Sequence, residues 1–544
     1  MHRLLRAAIT MLASLTLVLT VSAQVSVSAA STRYEAESAT ISQGSVAANH
    51  TGYSGTGFVD YTNVTGSYVQ WSVSVAGAGS AGLVLRYANG TSVNRPMDIS
   101  VNGTVVSAGK AFNGTGSWDT WADGTLTVTL NAGANTIRAT ATTANGGPNV
   151  DHLTVTTQTG AGPAVPFGAH LFPYASGTLK PSGSQATLDQ AVITYYNKWK
   201  SAFLKQNCGN GWYQVISPDA DHPYVAEGQG YGMVILATMA GADPNAKTAF
   251  DGMVKYMLAH PSVNNANLLA AEQDSSCRSV NGSDSATDGD LDVAFGLLLA
   301  DRQWGSAGTY DYKDLAIKHI NAIKASEVNP STRLTLLGDW SSSGDSLYYV
   351  TRSSDWMIDH FRAFRKATGD TAWDTIRTTH QNLITSQQAT YAPSTGLLAD
   401  FVVNTNTTPR PAPGEVLEDP NDGKYWWNAC RDPWRIGADA VTSGDPASLA
   451  SARKLSTWIR GKTGGDPAKI AVGYSLGGSQ ISSGSEPAFF APFTVAAMTD
   501  PAAQAWLDAL WNKMLNTPFT SSDYYSTSIQ LQVMIIASGN YWVP

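Results

Sequence analysis

The chain has 544 residues, which is more than one small core requires and enough for two or three domains. Hydrophobic residues make up 43% and charged residues 14% of it, a composition typical of folded globular proteins and not of disordered ones. The net charge is −8 and the sequence shows no basic patch, which argues against a nucleic-acid partner.

The first 30 residues have the layout of a secretory signal peptide. A basic start is followed by an apolar run from Ala7 to Val21 and then by small residues. A membrane anchor is the alternative, but this run is short for a spanning helix, and no other stretch is long and apolar enough. We therefore expect a secreted, extracellular protein without a membrane partner.

An oxidising compartment would allow one disulfide bond among the three cysteines. Cys208 and Cys277 both lie in loops rich in Gly, Ser and Asn, so we expect these two to pair and Cys430 to remain a free thiol. The cysteine spacings match no zinc motif.

Residues 31–157 are predicted to form a β-sandwich, because short alternating stretches recur between Gly, Asn and Asp turns. Residues 158–166 lack periodicity and are rich in Thr, Gly and Pro, which predicts a linker. The predicted strands cover residues 67–75, 82–87, 97–101, 124–130 and 135–141.

Residues 167–544 are predicted to form one large α domain, because apolar residues recur there at helical spacing and strand-like alternation is almost absent. A toroid of helical hairpins would fit, although the pattern alone does not establish it. The predicted helices cover residues 188–203, 231–239, 246–258, 291–302, 312–325, 356–367, 447–461 and 502–514.

The first candidate for catalysis is the segment 226–233, AEGQGYGM, in which Glu227 stands among glycines before an apolar helix. Glycines would let a polymer approach this carboxyl group and would permit unusual backbone angles. A carboxyl group crowded by apolar groups has a raised pKa and can donate a proton. The alternative is a glutamate that only caps the helix.

The second segment, SATDGDLDVA at 285–294, places Asp288, Asp290 and Asp292 at alternating positions. Calcium loops also alternate aspartates, but Leu299 stands where an EF-hand needs its last glutamate. The structural alternative is a set of first-turn acids that stabilise a helix dipole.

The third segment, YWWNACRDPWR at 425–435, combines tryptophans and arginines, as a sugar-binding wall or an arginine–carboxylate network would.

These three segments, in this order, make residues 167–544 resemble glycoside hydrolase family 8. The stretch SATDGDLDVAFGLLLADRQWG (285–305) is similar to that family's signature, and AEGQGYGM and RDPWR are similar to two further landmarks. The resemblance implies an (α/α)6 barrel with an open acidic cleft. It also implies endo-acting hydrolysis of β-1,4-linked glycans with inversion, without a catalytic cofactor.

By this resemblance, Glu227 matches the general acid and Asp288 the aspartate that contacts the sugar at the cleavage point. The usual general base corresponds to Asn428, which cannot accept a proton as a carboxylate does. This departure resembles a subgroup in which a glutamate from a preceding loop is the base. That loop, 409–423, offers Glu418, which we prefer by alignment, then Asp419, and also Glu415 and Asp422.

Acid and base should lie roughly 6.5–9.5 Å apart, as inversion requires. Asn428 could still orient the attacking water. The other residues predicted to contact substrate are Arg431, Trp212, Trp427 and Tyr231, with core packing as the alternative for each aromatic side chain.

The N-terminal domain resembles carbohydrate-binding modules of families 6 and 35 through YEAES (34–38), GFVDY (57–61), SWDTW (117–121) and NVDHL (149–153). The resemblance implies a jelly-roll β-sandwich with a structural calcium ion, an ion that carboxylate oxygens suit. The matching metal positions are Glu35, Glu37 and Asp151, and the matching sugar contacts are Tyr53, Trp118 and Asn149.

The sequence therefore predicts a monomeric inverting glycanase with a polysaccharide substrate. The subgroup with Asn428 contains chitosanases and β-1,3-1,4-glucanases, and we expect chitosan, a polycation, in preference to β-glucan because the cleft is acidic. A binding protein that has lost its catalytic base is the non-enzymatic alternative, and Asn428 is the residue that raises it.

Overall fold

The computed structural model describes residues 29–544 except 76–78, 132, 159–162, 219 and 221. Two compact units divide the chain between Ala161 and Gly162. The predicted signal peptide lies almost wholly outside the described residues, and only Ala29 and Ala30 of it are described, in the first strand. No helix of the described part of the chain combines the length and the apolarity needed to cross a bilayer.

The N-terminal unit consists of two antiparallel sheets packed face to face. Alternating burial along strands such as 68–75 directs one side of each sheet to a shared core that includes Trp71, Leu83 and Ile137. The strands are β1 (Ala29–Glu35), β2 (Thr40–Ser42), β3 (Gly44–Ala47), β4 (Phe58–Tyr61), β5 (Tyr68–Val75), β6 (Gly79–Ala88), β7 (Met97–Val101), β8 (Thr104–Lys110), β9 (Ala122–Leu130), β10 (Gly133–Ala141) and β11 (Asn149–Gln158).

One sheet has the order β3-β4-β11-β6-β9, with β1 also paired to β11, and the other has the order β2-β5-β10-β7-β8. The predicted β-sandwich is confirmed. The register of β11 against β6 shifts between Val150 and His152, so Asp151 occupies an irregularity of the ladder. Such irregularities re-aim a side chain, and here the side chain is a predicted metal ligand.

The C-terminal unit is helical, with short strand pairs at its loops. Its helices are α1 (Gln185–Phe203), α2 (Ala226–Thr238), α3 (Ala246–Ala259), α4 (Thr287–Trp304), α5 (Tyr312–Ser326), α6 (Ile358–Thr368), α7 (Ala372–Thr390), α8 (Asp432–Ser443), α9 (Pro446–Thr463), α10 (Pro487–Phe490), α11 (Pro492–Ala497), α12 (Gln504–Asn516) and α13 (Tyr524–Ala537). The short strands are β12 (Leu204–Lys205), β13 (Gln214–Val215), β14 (Tyr224–Val225), β15 (Glu272–Gln273), β16 (Thr351–Arg352), β17 (Phe401–Val403) and β18 (Arg410–Pro411).

Six inner helices form a closed ring. Helices α2, α4, α6, α8, α11 and α13 contact one another in this order, and α13 returns to α2. Each has a paired neighbour outside it, α3, α5, α7, α9, α12 and α1 respectively. The inner helices are buried on almost every side, whereas the outer ones bury a single face. This arrangement is the predicted (α/α)6 barrel.

Glycines of the first two motifs allow α2 and α4 to pack closely. A Cβ atom on Gly230 would lie 2.8 Å from the carbonyl oxygen of Gly289, and one on Gly289 would lie 2.5 Å from the backbone of Ala226. The expectation that glycines beside Glu227 admit a polymer is therefore wrong. They lie inside a regular helix, and the space they leave is filled by packed neighbours, which for Gly230 is α4.

The structure differs from the sequence-based boundaries at several places. Strand β11 continues to Gln158, and Val165 is buried in the barrel core with its N–H donated to the Gln303 side chain, so both ends of the predicted linker belong to folded units. Helix α2 begins at Ala226, which places Glu227 in its first turn and not before it. Helices α7, α8, α10, α11 and α13 lie outside the predicted ranges; in α13 all but one of the residues are buried, so no polar face marks its period.

The predicted disulfide bond is confirmed. Cys208 and Cys277 are bonded, and Cys430 is a buried free cysteine. The bond joins the loop after β12 to the loop after β15, and β15 pairs with β14 immediately before Glu227.

Candidate active site

A cleft of about 440 Å³ lies at the N-terminal ends of the inner helices. Glu227 and Asp288 line it from the first turns of α2 and α4, and Arg431 lines it from the residue before α8. Because N-terminal helix ends carry partial positive charge, this end of the barrel favours carboxylates. The ring therefore gathers acidic side chains that lie far apart in the sequence.

Glu227 is held at both oxygens. Its Oε1 accepts a hydrogen bond of 2.6 Å from the Tyr524 hydroxyl, and its Oε2 accepts one of 2.7 Å from Nη1 of Arg431. Burial raises the pKa of Glu227 to about 7, the neighbouring Asp288 adds to that shift, and Arg431 opposes it. A carboxyl group with such a pKa can hold a proton near neutral pH and donate it, as a general acid must.

Arg431 is the centre of the hydrogen-bond network. Its Nη1 reaches Asp288 Oδ2 at 3.0 Å as well as Glu227, and its Nη2 reaches Ser354 Oγ at 2.9 Å and Asn428 Oδ1 at 2.8 Å. The side chain is 2% exposed. The arginine–carboxylate network considered for the third segment is therefore present, and Arg431 lines the cleft while bracing it.

Asp288 is buried, yet its pKa lies below the usual value. Burial alone would raise that pKa, but Arg352 and Arg431 together outweigh the desolvation. Arg352 Nη1 lies 3.6 Å from Asp288 Oδ2. Asp288 therefore stays ionised, whereas Glu227 beside it tends to stay protonated. Because their pKa values shift in opposite directions, the two acids of one cleft can have different roles.

Glu418 enters the cleft from the loop after β18. Its Oε2 accepts a 2.7 Å hydrogen bond from Nδ2 of Asn428, and its Oε1 lies 3.2 Å from Nη2 of Arg352. The side chain is 41% exposed, in contrast to the 17% of Glu227. A water molecule can therefore reach Glu418, as a general base requires.

Asp422 shapes the loop that carries Glu418. It is fully buried and accepts hydrogen bonds from the backbone N–H groups of residues 416, 417, 418 and 419, at 2.8 to 3.2 Å. Asp419 accepts from the N–H of Asn421, and Glu415 is exposed. Of the four loop acids, only Glu418 lines the cleft.

Neighbouring side chains fix the orientation of the Asn428 amide. Its Nδ2 faces Glu418 and also Asp400 Oδ2 at 3.4 Å, while its Oδ1 faces Arg431. Asp400 in turn accepts hydrogen bonds from the N–H groups of Trp426, Asn428 and Ala429. The amide therefore connects two acids to the arginine.

Only one of the three predicted stacking residues lines the cleft. Trp427 does so, and it packs edge-on against Phe489. The prediction for Tyr231 is wrong, because the ring is 0% exposed and packs in the core. Trp212 is partly exposed in the loop of the disulfide bond, against Tyr256 and His260, and it does not line this cleft, so its contact with substrate stays a prediction.

In the N-terminal unit, the structure brings two of the three predicted calcium ligands together. Oxygen atoms of Glu35 and Asp151 and a ring nitrogen of His152 lie within 4.8 Å of one another. Both Glu35 and Asp151 contact the Ser54 hydroxyl. Glu37 lies outside this group, but its Oε2 is buried without a hydrogen-bond partner in the described structure.

The three predicted sugar contacts of this unit differ in accessibility. Tyr53 and Trp118 are partly exposed and belong to one aromatic cluster through Phe58 and His50. The guanidinium of Arg95 lies 5.3 Å from the centre of the Trp118 ring. Asn149 is 4% exposed, so it offers little surface to a ligand.

Sequence reasoning assigned no role to Arg352, Asp400 or Tyr524 and offered Asp422 only as an alternative base. Arg352, Asp400, Asp422 and Tyr524 touch or position the cleft acids, but none lies within the three segments used for prediction. Arg352 could have been noticed in the sequence, because it is an arginine directly before the segment SSDW (353–356) in a domain rich in acidic residues. Tyr524 had no such signal, because only the closure of the ring brings it to Glu227.

Comparison with known proteins gives consistent matches for both units. The family model "Glycosyl hydrolases family 8" matches residues 181–539, and "Carbohydrate binding module (family 35)" matches residues 32–158. A "Beta-glucanase" of Niallia circulans is 43% identical to this chain, over 70% of this chain and 92% of its own length. An "Endoglucanase" of Bacillus sp. (strain KSM-330) is 40% identical, over 68% of this chain and 80% of its own length. The apo structure of a β-1,3-1,4-glucanase from Paenibacillus sp. X4 is 43% identical, with a TM-score of 0.68 over 70% of this chain and all of that one.

The family model covers well over half of the chain, and the first two relatives are matched over most of their own length. The N-terminal unit is a family 35 module, one of the two families that its sequence resembled. The chain therefore belongs to the family 8 glycosyl hydrolases and is a glycoside hydrolase with an N-terminal carbohydrate-binding module.

Proposed function

We propose that this enzyme is an inverting endo-β-glucanase that cleaves mixed-linkage β-1,3-1,4-glucan, with Glu227 as general acid and Glu418 as general base. The observation that carries the proposal is the presence of both carboxyl groups in one cleft, one buried and the other open to water. Glu227 protonates the glycosidic oxygen, Glu418 removes a proton from the attacking water, and Asp288 contacts the sugar between them.

The glucanase alternative replaces chitosanase as the preferred substrate assignment. The relatives matched over most of their length are named glucanases. Outside the catalytic group, Glu272 is the carboxylate among the cleft-lining residues, and it lies 3.2 Å from Nδ1 of His222. Such a cleft offers few free acids to the ammonium groups of chitosan, whereas a neutral glucan needs none.

The test is the release of reducing ends from mixed-linkage β-glucan and from chitosan by the wild type, Glu418→Gln and Glu415→Gln. We expect the wild type to act on the glucan, Glu418→Gln to lose about 10³-fold in kcat, and the matched control Glu415→Gln to remain active. Activity on chitosan alone would overturn the substrate, and a fully active Glu418→Gln would overturn the base.

The remaining proposals concern secretion, oligomeric state and the N-terminal module. We propose that the chain is secreted as a monomer and that its N-terminal module concentrates it on a polysaccharide. The oxygen donors of Glu35, Asp151 and Glu37 fit a structural calcium ion, since calcium prefers carboxylate and other oxygen ligands. Calcium addition should raise the Tm of the module in the full chain, and Asp151→Asn should abolish that increase.

A further inference from the structure

Asp290 is an acid of the second motif that faces away from the cleft. Residues two apart on a helix point about 200° apart, so Asp290 is opposed to Asp288 and Asp292 on α4. Asp292 is hydrogen-bonded to Arg435 and His360, and Asp288 is hydrogen-bonded to Arg431. Asp290 is 0% exposed and takes no part in the proposed chemistry.

The neighbours of Asp290 include a second buried acid. Oδ1 of Asp290 accepts hydrogen bonds from the N–H of Leu269 at 2.9 Å and from Nε2 of His319 at 2.7 Å. The carboxyl groups of Asp290 and Glu327 are within hydrogen-bonding distance of each other. Glu327, immediately after α5, is 0% exposed, and its Oε1 accepts a 2.6 Å hydrogen bond from Ser285 Oγ.

The charges around this pair leave both acids without a cation. Neither carboxyl group forms an ion pair with a lysine or arginine of the described residues. Burial lowers the pKa of His319 to about 3, so its ring is neutral and carries a single N–H donor and no positive charge. The other charged groups that act on the pair, Asp339 and Asp288, are acids and raise the pKa of Asp290 further.

We propose that Asp290 and Glu327 share one proton and that the resulting carboxyl–carboxylate hydrogen bond positions Asp288 in the cleft. Two carboxylates in contact cannot both remain ionised in a buried site, and one proton converts their repulsion into a charge-assisted hydrogen bond. Asp290 Oδ2 and Glu327 Oε2 are both buried, and neither has a hydrogen-bond partner among the described atoms, so a proton held between the two carboxyl groups would satisfy both.

The bond spans the beginning of α4. Glu327 holds Ser285, which precedes the helix, and Asp290 lies in the first turn, so the segment between these two anchors contains Asp288. Ser285 is fixed a second time by Asp339, whose Oδ1 accepts its N–H at 2.9 Å. Loss of the shared proton would let the two anchors repel each other and would displace the turn that carries Asp288.

The pair also makes a prediction for stability. Because burial raises both pKa values well above their usual range, folding takes up a proton wherever the pH lies between the pKa of an unfolded glutamate and the raised pKa of the folded pair. The stability that the pair contributes to the wild type therefore falls as pH rises above about 4.3. Glu327→Gln keeps a donor towards Asp290 and has no proton to lose.

The experiment compares Glu327→Gln with Glu327→Ala and with the exposed control Glu415→Gln in the full chain. We expect the Tm of Glu327→Gln, relative to the wild type, to increase steadily from pH 5 to pH 9, whereas the relative Tm of Glu415→Gln should not change. At pH 6 we expect Glu327→Gln to keep kcat and KM on β-glucan within about twofold, and Glu327→Ala to lose about tenfold in kcat/KM. Asp290→Asn, which also leaves one charge and one donor, provides the same comparison if Glu327→Gln does not fold.

Two results would overturn the proposal. A relative Tm of Glu327→Gln that is independent of pH would show that no proton is shared. Equal kinetic losses in Glu327→Gln and Glu327→Ala would show that the bond does not position Asp288. The kinetic part rests on the proposed role of Asp288, but the Tm part does not, so failure of the proposed function would leave the Tm result intact.

Discussion

The two catalytic carboxyl groups are supported by contrasting parts of the barrel. Glu227 lies in the first turn of an inner helix, mostly buried, and is gripped by Arg431 and Tyr524. Glu418 lies on an exposed loop that has no helix or long strand and is shaped by Asp422. Burial gives the acid the raised pKa it needs, and exposure gives the base access to water. The same residue type thus serves opposite tasks because its surroundings differ.

The largest expected effect is at the buried acid. Glu227→Gln removes the donated proton but keeps the hydrogen bond to Tyr524, so we expect kcat on β-glucan to fall roughly 10³-fold with little change in fold. Reducing-end assays and circular dichroism would check this. A smaller loss than that of Glu418→Gln would indicate that protonation of the leaving oxygen is not the demanding step.

The second largest effect is expected at Asn428, whose amide lies beside the proposed base Glu418. Asn428→Asp places a third carboxylate against Glu418 and Asp400 and removes the side-chain N–H donor that faces both of them. We expect about a hundredfold loss of kcat/KM, and an acidic limb of the pH–rate profile that moves to higher pH. The matched control is Asn421→Asp, which lies in the loop of Glu418 but does not line the cleft. An unchanged profile for Asn428→Asp would contradict this role.

The third effect concerns the construction of the loop. Asp422→Asn leaves one acceptor oxygen for four backbone N–H groups and turns an NH2 group towards them. We expect about a tenfold loss of kcat, with Tm lowered by only a few degrees, because the loop lies outside the barrel core. If kcat were unaffected, the loop would hold Glu418 without Asp422.

The smallest effect is a shift of pH dependence at the acid. Activity should fall as pH rises through the pKa of Glu227, about 7, because only the protonated form donates. The Tyr524 hydroxyl stabilises the carboxylate and lowers that pKa, so Tyr524→Phe should move the basic limb to higher pH by less than about one unit. The pH–rate profile of kcat/KM checks this, and a shift to lower pH would contradict the assigned hydrogen bond.

The contrast between acid and base also marks what the sequence could predict. Glu227 and Asp288 could be assigned because the short segments around them resemble the family's motifs, and each lies in the regular first turn of an inner helix. Glu418 could be chosen only by alignment among four acids, since a loop's course depends on distant partners such as Arg352 and Asn428. Tyr231 was misassigned for a related reason, because the sequence does not show which aromatic faces of an inner helix are covered by its neighbours.

The closure of the helical ring has a consequence for the order in which this enzyme becomes competent during synthesis. Helix α13, near the end of the chain, supplies the Tyr524 that bonds Glu227 on α2, the first helix of the ring. A chain synthesised only as far as Phe519 therefore has its acid and its base but not the complete surroundings of the acid. The barrel can hydrolyse glycan as the finished enzyme does only after α13 has been made and has closed the ring.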